Sequence, residues 1–336
     1  MQQTNKKQHL AGLVMLSLTA IFWGAGFVLN DNLLNAAFFA TPNLINTLRF
    51  GVSAILLGAI FARKLRFNKK IILYAGIGGI LLFGGFTLQL IGLKYTTPSH
   101  NGFFTASYII FVPFISWILL KKRPCWQMFA GVGVAIVGLL ILNLYGIIKD
   151  GTSNTAVGDL LTLAGAVLFA AQIALTDYAY SKKAVDFPNM TFWQILTGAV
   201  LFALYTLIFE SKHYSSITFD ASYCVWRLLI VILCGTSFAY LAQSYAQKHL
   251  SSTETSLVLA CESPIGALIS IITGVETFVW TTVVGGMMVI AAVLIIEFIP
   301  RLSARRKLNE PSVDTPVSTA ALDKEENNEE HINPPS

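Results

Sequence analysis

Long apolar stretches alternate with short polar segments along most of the chain. Each apolar stretch is about 20 residues long, which at roughly 1.5 Å rise per helical residue matches a hydrocarbon core of about 30 Å. Lipid offers no hydrogen-bond partners to the backbone, so each stretch must be helical. The pattern predicts ten spans, at 9–29, 42–62, 71–93, 98–120, 125–145, 156–178, 188–209, 224–247, 252–273 and 277–299.

The composition agrees with a protein that lies in a lipid bilayer. Hydrophobic residues make up 54% of the chain and charged residues only 12%, about half the charged share of a soluble domain. The loops are too short for a soluble catalytic domain, and the four cysteines show neither CxxC spacing nor an extracellular disulfide pattern. We therefore expect no enzyme, no cofactor and no metal site.

The basic residues predict the orientation of the chain. With the N-terminus in the cytoplasm, the cytoplasmic segments hold seventeen Lys and Arg residues and the outer segments hold four. Positively charged loops stay in the cytoplasm, so both termini are expected there. Membrane orientation accounts for the net charge of +5, so we expect no nucleic-acid partner.

The two halves of the chain are related by an internal repeat. An offset of 154 residues aligns 94–143 with 248–297 without a gap and gives ten identities. Lys94 meets Lys248 and Trp126 meets Trp280, matches that shared apolar composition does not explain. Each copy holds five spans, and because five is odd the second copy must enter the membrane inverted, as in many secondary transporters.

The repeat divides the chain into segments. Residues after 300 begin with a basic cluster and continue with prolines and an acidic run, a composition that cannot bury enough apolar surface to fold alone. The predicted segments are a cytoplasmic N-terminus (1–8), a first five-helix repeat (9–145), an extracytoplasmic connecting loop (146–155), a second five-helix repeat (156–299) and a disordered cytoplasmic tail (300–336).

Several motifs resemble the EamA family of the drug/metabolite transporter superfamily across residues 10–299. They are Ala20-Ile-Phe-Trp-Gly24, Gly92-Leu-Lys-Tyr-Thr-Thr-Pro98, Gly102 to Pro113, Gly158-Asp-Leu-Leu-Thr-Leu163, Gln243-Ser-Tyr-Ala-Gln-Lys248 and the Glu262 to Glu276 interval. The chain departs from the family where Ser263 separates Glu262 from Pro264. The resemblance implies ten helices and the movement of small metabolites, often amino acids or drugs, by alternating access.

Glu262 is the candidate centre of the transport pathway. It lies about ten residues into its span, hence roughly 15 Å deep. An ionised carboxylate at that depth costs about 2.5–3.5 kcal/mol, so it should face a polar cavity or carry a proton. The alternative is a buried structural network. Its repeat partner is Tyr108, and prolines are expected to bend both spans, at Pro113 and Pro264.

Other polar residues inside the spans complete the candidate site. Gln89 and His100 lie toward the outer ends of their helices and form a candidate outer gate. Their repeat partners Gln243 and Glu254 form a candidate inner gate. Arg49 is expected near the outer interface, bound to water, to lipid phosphate or to Asp31. The remaining candidates for the cavity wall are Trp23, Asn101 and Gln172.

These residues predict a secondary transporter in the plasma or inner membrane that moves a small organic metabolite, with an exporter favoured. The alternatives are a proton-independent facilitator, an importer of a vitamin or metabolite, and a non-transporting sensor or scaffold that acts through the tail. The sequence leaves the substrate, the coupling ion and the choice between monomer and homodimer open.

Overall fold

The structure is a computed structural model that describes residues 6–36, 41–121, 126–149, 153–211 and 221–309. Every regular element in this part of the chain is a helix. Each of the five predicted segments, 1–8, 9–145, 146–155, 156–299 and 300–336, includes residues outside these ranges.

The helices follow one another with short connections. In chain order they are α1 (Lys6–Asn35), α2 (Pro42–Phe61), α3 (Lys69–Leu93), α4 (Pro98–Ala106), α5 (Tyr108–Leu120), α6 (Trp126–Lys149), α7 (Ser153–Ser181), α8 (Phe187–Tyr205), α9 (Ala221–Ile232), α10 (Ala239–Gln247), α11 (Ser252–Leu259), α12 (Glu262–Ile272) and α13 (Trp280–Asn309). Two π-helical segments follow α8 and α9, at Thr206–Glu210 and Leu233–Phe238.

Eight helical segments of the described chain are long and apolar enough to cross a membrane, and they coincide with eight of the ten predicted spans. The chain is therefore an all-helical, multi-pass membrane protein. The predicted spans 125–145 and 277–299 fall on α6 and α13, whose apolar parts in the described residues, Met128–Ile141 and Trp280–Ala292, are shorter. Ten membrane crossings stay a prediction.

Local sequence signals explain where several helices begin. Pro42 and Pro98 occupy the first helical positions of α2 and α4, where a missing N–H costs nothing. At the start of α11 the Ser251 side chain accepts from the Glu254 N–H, and the Glu254 carboxylate accepts from the Ser251 N–H. This capping box satisfies two backbone donors that lipid could not.

The fourth and ninth predicted spans are each interrupted near their middle. The interruptions precede Tyr108 and Glu262, which begin α5 and α12 and are related by the 154-residue offset. Pro264 explains the second interruption, because it has no N–H to donate to the Ala260 carbonyl. That carbonyl instead accepts from the Ser263 N–H at 3.2 Å. Near the first, the Ser107 hydroxyl donates to the Phe103 carbonyl at 3.2 Å.

Helices from the two halves of the chain pack directly on one another. α1 contacts α10, α11 and α12, while α3 contacts α7 and α8. Aromatic rings of both halves meet in the core, where Phe50 lies 5.3 Å from Phe86, 4.9 Å from Phe202 and 6.2 Å from Tyr240 between ring centroids. A central space therefore has walls from both halves.

Candidate functional site

A cavity lies between the two halves, from the middle of the bundle toward the predicted outer side, where its lining reaches Asn30 and Leu93 near the ends of α1 and α3. Its empty space, counting the opening to solvent, is about 710 Å³. Seven of the nine predicted binding or gating residues line it: Trp23, Gln89, Asn101, Tyr108, Gln172, Gln243 and Glu262.

The two helix interruptions bring Glu262 and Tyr108 to this cavity. Both side chains are 2% exposed, and the Tyr108 hydroxyl faces the Glu262 carboxyl group. Among the described residues, neither that hydroxyl nor Oε1 of Glu262 has a partner at hydrogen-bonding geometry. The Tyr108 hydroxyl and the Glu262 carboxyl group are close enough to interact, so a polar solute in the cavity would replace a poorly aligned contact between them.

Arg49 also lines the cavity, which differs from the expected position near the outer interface. Its side chain is only 3% exposed, and its Nε donates to the Thr236 hydroxyl at 2.8 Å. The guanidinium carbon lies 4.6 Å from the centroid of the Phe86 ring, a cation–π distance. The described residues include no carboxylate within ion-pair distance of Arg49, and its Nη1 has no hydrogen-bond partner.

The π-helical segment Leu233–Phe238 supplies the acceptors that hold Arg49 and Trp23. A π-helical turn shifts the backbone hydrogen-bonding pattern and often occurs at functional sites. The Gly235 carbonyl accepts from Trp23 Nε1 at 2.8 Å and from Arg49 Nη2 at 3.4 Å. Thr236 donates in turn to the Val231 carbonyl at 3.0 Å. Three helices, α1, α2 and α9, are therefore joined at one turn beside the cavity.

Buried amides close the cavity toward the predicted cytoplasmic side. We call Gln172, Gln194, Gln243 and Gln247 the glutamine network. Gln172 donates to Gln194 at 3.1 Å, Gln243 donates to Gln172 at 3.1 Å and to Gln247 at 3.2 Å, and Gln247 donates to the Ile173 carbonyl at 2.8 Å. These side chains are 0–3% exposed. The network links α7, α8 and α10 through neutral groups.

A second set of amides lines the cavity from α3 and α4. Gln89 donates to the Thr105 hydroxyl at 2.9 Å. The Asn101 side chain donates to the backbone carbonyl of Gln89 at 3.0 Å and to the Thr162 hydroxyl at 2.8 Å. The Oδ1 atom of Asn101 and Oε1 of Gln243 have no partner among the described residues, so the cavity lining presents a free acceptor from each half of the chain.

His100 and Glu254 lie outside the cavity, at opposite ends of the bundle. His100 Nδ1 is 3.5 Å from Asp159 Oδ2, and the His100 side chain is 6% exposed. Glu254 completes the capping box of α11, and its Oε1 is 3.9 Å from His9 Nε2. Each residue thus joins a helix of one half to a helix of the other, but neither lines the central space.

The two prolines that were expected to bend their spans, Pro113 and Pro264, lie at different places relative to the helix interruptions. Pro264 lies in the first turn of α12, directly after the interruption. Pro113 lies within α5, which continues through it to Leu120. The interruption in that span comes before Tyr108, six residues ahead of Pro113, and is not where we expected the bend.

The sequence interpretation missed Arg49 and Tyr240 as cavity residues. Arg49 is the charged residue nearest the middle of the second predicted span, and buried charge within a span is itself a signal of function. Tyr240 gave no comparable signal, because a tyrosine in an apolar helix is equally suited to packing.

Sequence comparisons place the chain among transporters. An uncharacterized transporter of Archaeoglobus fulgidus is 29% identical over 84% of this chain and 84% of that protein. The uncharacterized transporter YyaM of Bacillus subtilis is 27% identical over 85% of this chain and 93% of its own length.

A structural comparison supports the fold alone. A crystal structure that is 18% identical in sequence superposes with a TM-score of 0.68 and covers 88% of this chain and 98% of its own. The EamA-like transporter family matches residues 10–144 and 156–298, which together make up most of the chain. The chain therefore belongs to the EamA-like transporter family.

Proposed function

We propose that this protein is a secondary transporter that moves a small organic solute through the central cavity by alternating access. The observation that carries the proposal is the cavity at mid-depth, which is walled by both halves and contains the buried carboxylate of Glu262. A soluble ligand reaches such a site only when one end of the bundle opens. Intramembrane ionisable residues mark pathways of this kind.

Two inverted five-helix repeats, 9–145 and 156–299, would form the two moving halves. Support comes from the family matching twice, over nearly these ranges, and from helix interruptions at repeat-equivalent positions before Tyr108 and Glu262. When two halves have the same fold in opposite orientations, exchanging their conformations moves the opening from one side to the other.

The gates would lie at the two ends of this pathway. Gln89 and His100 belong to the outer end, toward which the cavity extends in this structure. Gln243 belongs to the glutamine network, which closes the inner end, and Glu254 lies beyond it. Opening the inner side would require the network to separate.

The proposed setting is the plasma or inner membrane, with both termini in the cytoplasm and with outward movement of a metabolite or drug-like compound. The distribution of Lys and Arg supports this orientation, and the family resemblance favours export. The alternatives are a facilitator, an importer and a sensor that acts through the tail, and each predicts a different outcome in the experiments below.

The experiment is efflux from proteoliposomes that contain the purified full-length protein and are loaded with a cell metabolite extract. Mass spectrometry should show that one or a few solutes leave faster than from protein-free liposomes. A folded protein, judged by its melting curve, that releases none of the extract would overturn the transport proposal. Deletion of 301–336 should leave efflux intact, whereas loss of efflux would favour the sensor alternative.

The role of a proton can be tested on the solute found in this way. If Glu262 exchanges protons, an imposed pH gradient should drive uptake by the wild type, and Glu262→Gln should remove that response. Uptake that responds equally to the gradient in both proteins would exclude Glu262 as the proton carrier. Glu210→Gln is the matched control, because Glu210 is a buried carboxylate bonded to Asn43, outside the cavity.

A further inference from the structure

Arg49 is a buried cation in the wall of the central cavity, and no anion lies beside it. Its side chain is 3% exposed and lines the cavity. Among the described residues no carboxylate is within ion-pair distance of its guanidinium. A guanidinium does not release its proton in a protein, so the positive charge stays in the cavity. A buried charge without a counter-charge is unfavourable, because it loses its hydration without compensation.

The guanidinium of Arg49 is held by three contacts and keeps one nitrogen free. Nε donates to the Thr236 hydroxyl and Nη2 to the Gly235 carbonyl, and the guanidinium carbon lies 4.6 Å from the centroid of the Phe86 ring. Nη1 has no hydrogen-bond partner in the part of the chain that the structure describes. A guanidinium fixed in this way, with a free donor, suits the binding of an anion.

Glu262, the acidic side chain of the cavity wall, does not supply the missing counter-charge. Its carboxyl group is 2% exposed and lies close enough to the Tyr108 hydroxyl to interact with it. No cation of the described residues is within ion-pair distance of this carboxyl group. An ionised carboxylate at this depth costs about 2.5–3.5 kcal/mol, whereas a protonated one can pair with a hydroxyl as a neutral group. With Glu262 protonated, Arg49 is the one charged side chain in the described wall.

The surface on the predicted cytoplasmic side has the same sign of charge. A groove there is lined by the exposed side chains of Arg66, Lys183 and Lys248, and Asp186 is the single carboxylate of its described lining. Lys248 directly follows the last residue of the glutamine network. Basic loops orient a membrane protein in any case, but a concave surface of one charge also concentrates solutes of the opposite charge. Entry from the cytoplasm is therefore favourable for an anion.

We propose that the cavity takes a small organic monoanion, whose carboxylate accepts from Nη1 of Arg49 while Glu262 carries a proton. This assignment rests on the transport function proposed above and names the substrate class of the same site. The Tyr240 hydroxyl lies within electrostatic range of Arg49 and is the second donor. The rings of Trp23 and Phe86, at 5.6 and 6.3 Å from the Tyr240 ring between centroids, form an apolar wall for the rest of the solute.

The net charge of the solute follows from this arrangement. One carboxylate balances the one positive charge of the wall. An amine adds a second cation to the cavity, and an amino-acid zwitterion brings an ammonium group whose only acidic neighbour in the described lining, Glu262, already faces Tyr108. We therefore expect the site to prefer an acid without an ammonium group.

The test measures ligand binding to the purified full-length protein in detergent and chloride-free buffer. Four ligands share one skeleton: 3-phenylpropanoate, 3-phenylpropanamide, L-phenylalanine and 2-phenylethylamine. The rise of the melting temperature with ligand concentration gives an apparent dissociation constant for each. In the wild type, 3-phenylpropanoate should bind about 10- to 100-fold more tightly than each of the other three, the range expected for a hydrogen bond between charged groups.

Variants of Arg49 should remove this preference in steps. Arg49→Gln should weaken binding of 3-phenylpropanoate about 10- to 100-fold, to the level of its amide, and leave binding of the amide unchanged. Arg49→Lys should retain part of the preference, because lysine keeps the charge and loses the planar fork. A merely structural role for Arg49 would weaken binding of all four ligands alike.

The protonation state of Glu262 has its own measurement. The infrared spectrum of the wild type should contain a protonated-carboxyl band that Glu262→Gln removes. If that band is absent, Glu262 is ionised beside the anion, and the proposed charge balance is wrong.

The matched control for the loss of a charge is Arg227→Gln. Arg227 donates to the Tyr223 carbonyl in its own helix, outside the cavity lining, so this variant should keep the wild-type order of the four ligands. Melting curves without ligand verify the folding of every variant, and Arg49→Lys serves if Arg49→Gln does not fold.

Three results would overturn the assignment. One is L-phenylalanine or the amide binding as tightly as 3-phenylpropanoate in the wild type. Another is an undiminished preference for 3-phenylpropanoate in Arg49→Gln or Arg49→Lys. The third is an Arg49-dependent shift with sodium chloride and none with 3-phenylpropanoate, which would make the site one for an inorganic anion.

The outcome is separable from that of the transport proposal. A protein that binds none of the four ligands but releases a solute from the metabolite extract overturns the anion assignment alone. Arg49-dependent binding without any release overturns transport alone, and silence in both assays overturns both.

Discussion

Each end of the bundle has a histidine beside a carboxylate, but the contacts that hold the helices together differ between the two ends. At the predicted outer end His100 lies 3.5 Å from Asp159, and at the predicted cytoplasmic end His9 lies 3.9 Å from Glu254. In each case a helix of one half meets a helix of the other. What differs is the set of contacts around these pairs.

The outer end is held by two carboxylates, Asp159 in the second turn of α7 and Glu276 after the end of α12. Asp159 accepts from the Thr96 hydroxyl at 2.8 Å, and Glu276 accepts from the backbone N–H and the hydroxyl of Ser99. The inner end is held by the glutamine network, by Asp177, which accepts from the Ser252 N–H at 2.9 Å, and by the Ser116–Ser252 hydroxyl pair.

This difference indicates which end opens more easily from the described conformation. Charged contacts with access to water contribute only about 0–1 kcal/mol each. Separating a buried amide network leaves several polar atoms without partners, at about 1–3 kcal/mol for each atom. The inner end is therefore the tighter closure, which agrees with a cavity that extends toward the outer end.

The largest expected effect comes from breaking the glutamine network. Gln172→Leu removes the acceptor of Gln243 Nε2 and the donor to Gln194 Oε1. We expect a loss of about 2–4 kcal/mol in the free energy of unfolding, measured by melting in detergent. The outer counterpart, Gln89→Leu, loses only its bond to Thr105 and should cost about 1 kcal/mol. Equal losses in the free energy of unfolding would mean that the inner and outer amides contribute equally to stability, which would contradict this comparison.

A smaller effect is expected at two close helix contacts. A Cβ on Gly158 would lie 2.7 Å from the Gly92 carbonyl at the outer end, whereas one on Gly12 would meet the flexible tip of Leu250 at the inner end. Overpacking costs about 1–3 kcal/mol, and alanine regains up to about 1 kcal/mol of helix propensity.

Gly158→Ala should therefore lower the free energy of unfolding by about 1–2 kcal/mol, because the backbone of α3 cannot move aside alone. Gly12→Ala should be close to neutral, since the leucine side chain can change rotamer. Melting curves of the two purified variants provide the measurement. A larger loss for Gly12→Ala would show that the α1 to α10 contact is the more rigid of the two.

The smallest effect is expected from the His–carboxylate pairs. Asp159→Asn keeps an acceptor for Thr96 and removes the charge beside His100, and Glu254→Gln keeps an acceptor for Ser251 and removes the charge beside His9. Each should change the free energy of unfolding by at most about 1 kcal/mol, and the change should shrink at high salt. Melting at two salt concentrations tests this, and a salt-independent loss above that range would assign these pairs a larger role in closure.

Much of the architecture could be predicted because lipid imposes a uniform rule on every span. Apolar length alone located the eight spans that the structure describes as long enough to cross. The position of Glu262 near the middle of its span could be read from the sequence, and Glu262 lines the cavity. The inverted arrangement and the gating roles stay predictions.

The rotation of each helix about its axis could not be predicted, because tertiary packing sets it. Arg49 has the sequence context of an interfacial arginine, yet its side chain faces the cavity. There it packs on the Phe86 ring and donates to the Gly235 carbonyl. Pro113 lies within α5, and the interruption of that span comes earlier, at Ser107, since a proline alone does not fix where a buried helix is interrupted.

In the π-helical segment Leu233–Phe238, the number of residues matters as much as their identity for holding Trp23 and Arg49. A π-helical turn holds an extra residue compared with the α-helical path and shifts the backbone hydrogen-bonding pattern. Deleting one residue there would restore the α-helical pattern, and the Gly235 carbonyl would no longer be free to accept from Trp23 and Arg49. Natural variation in this stretch is therefore expected as exchanges of side chains, with insertions and deletions eliminated by selection.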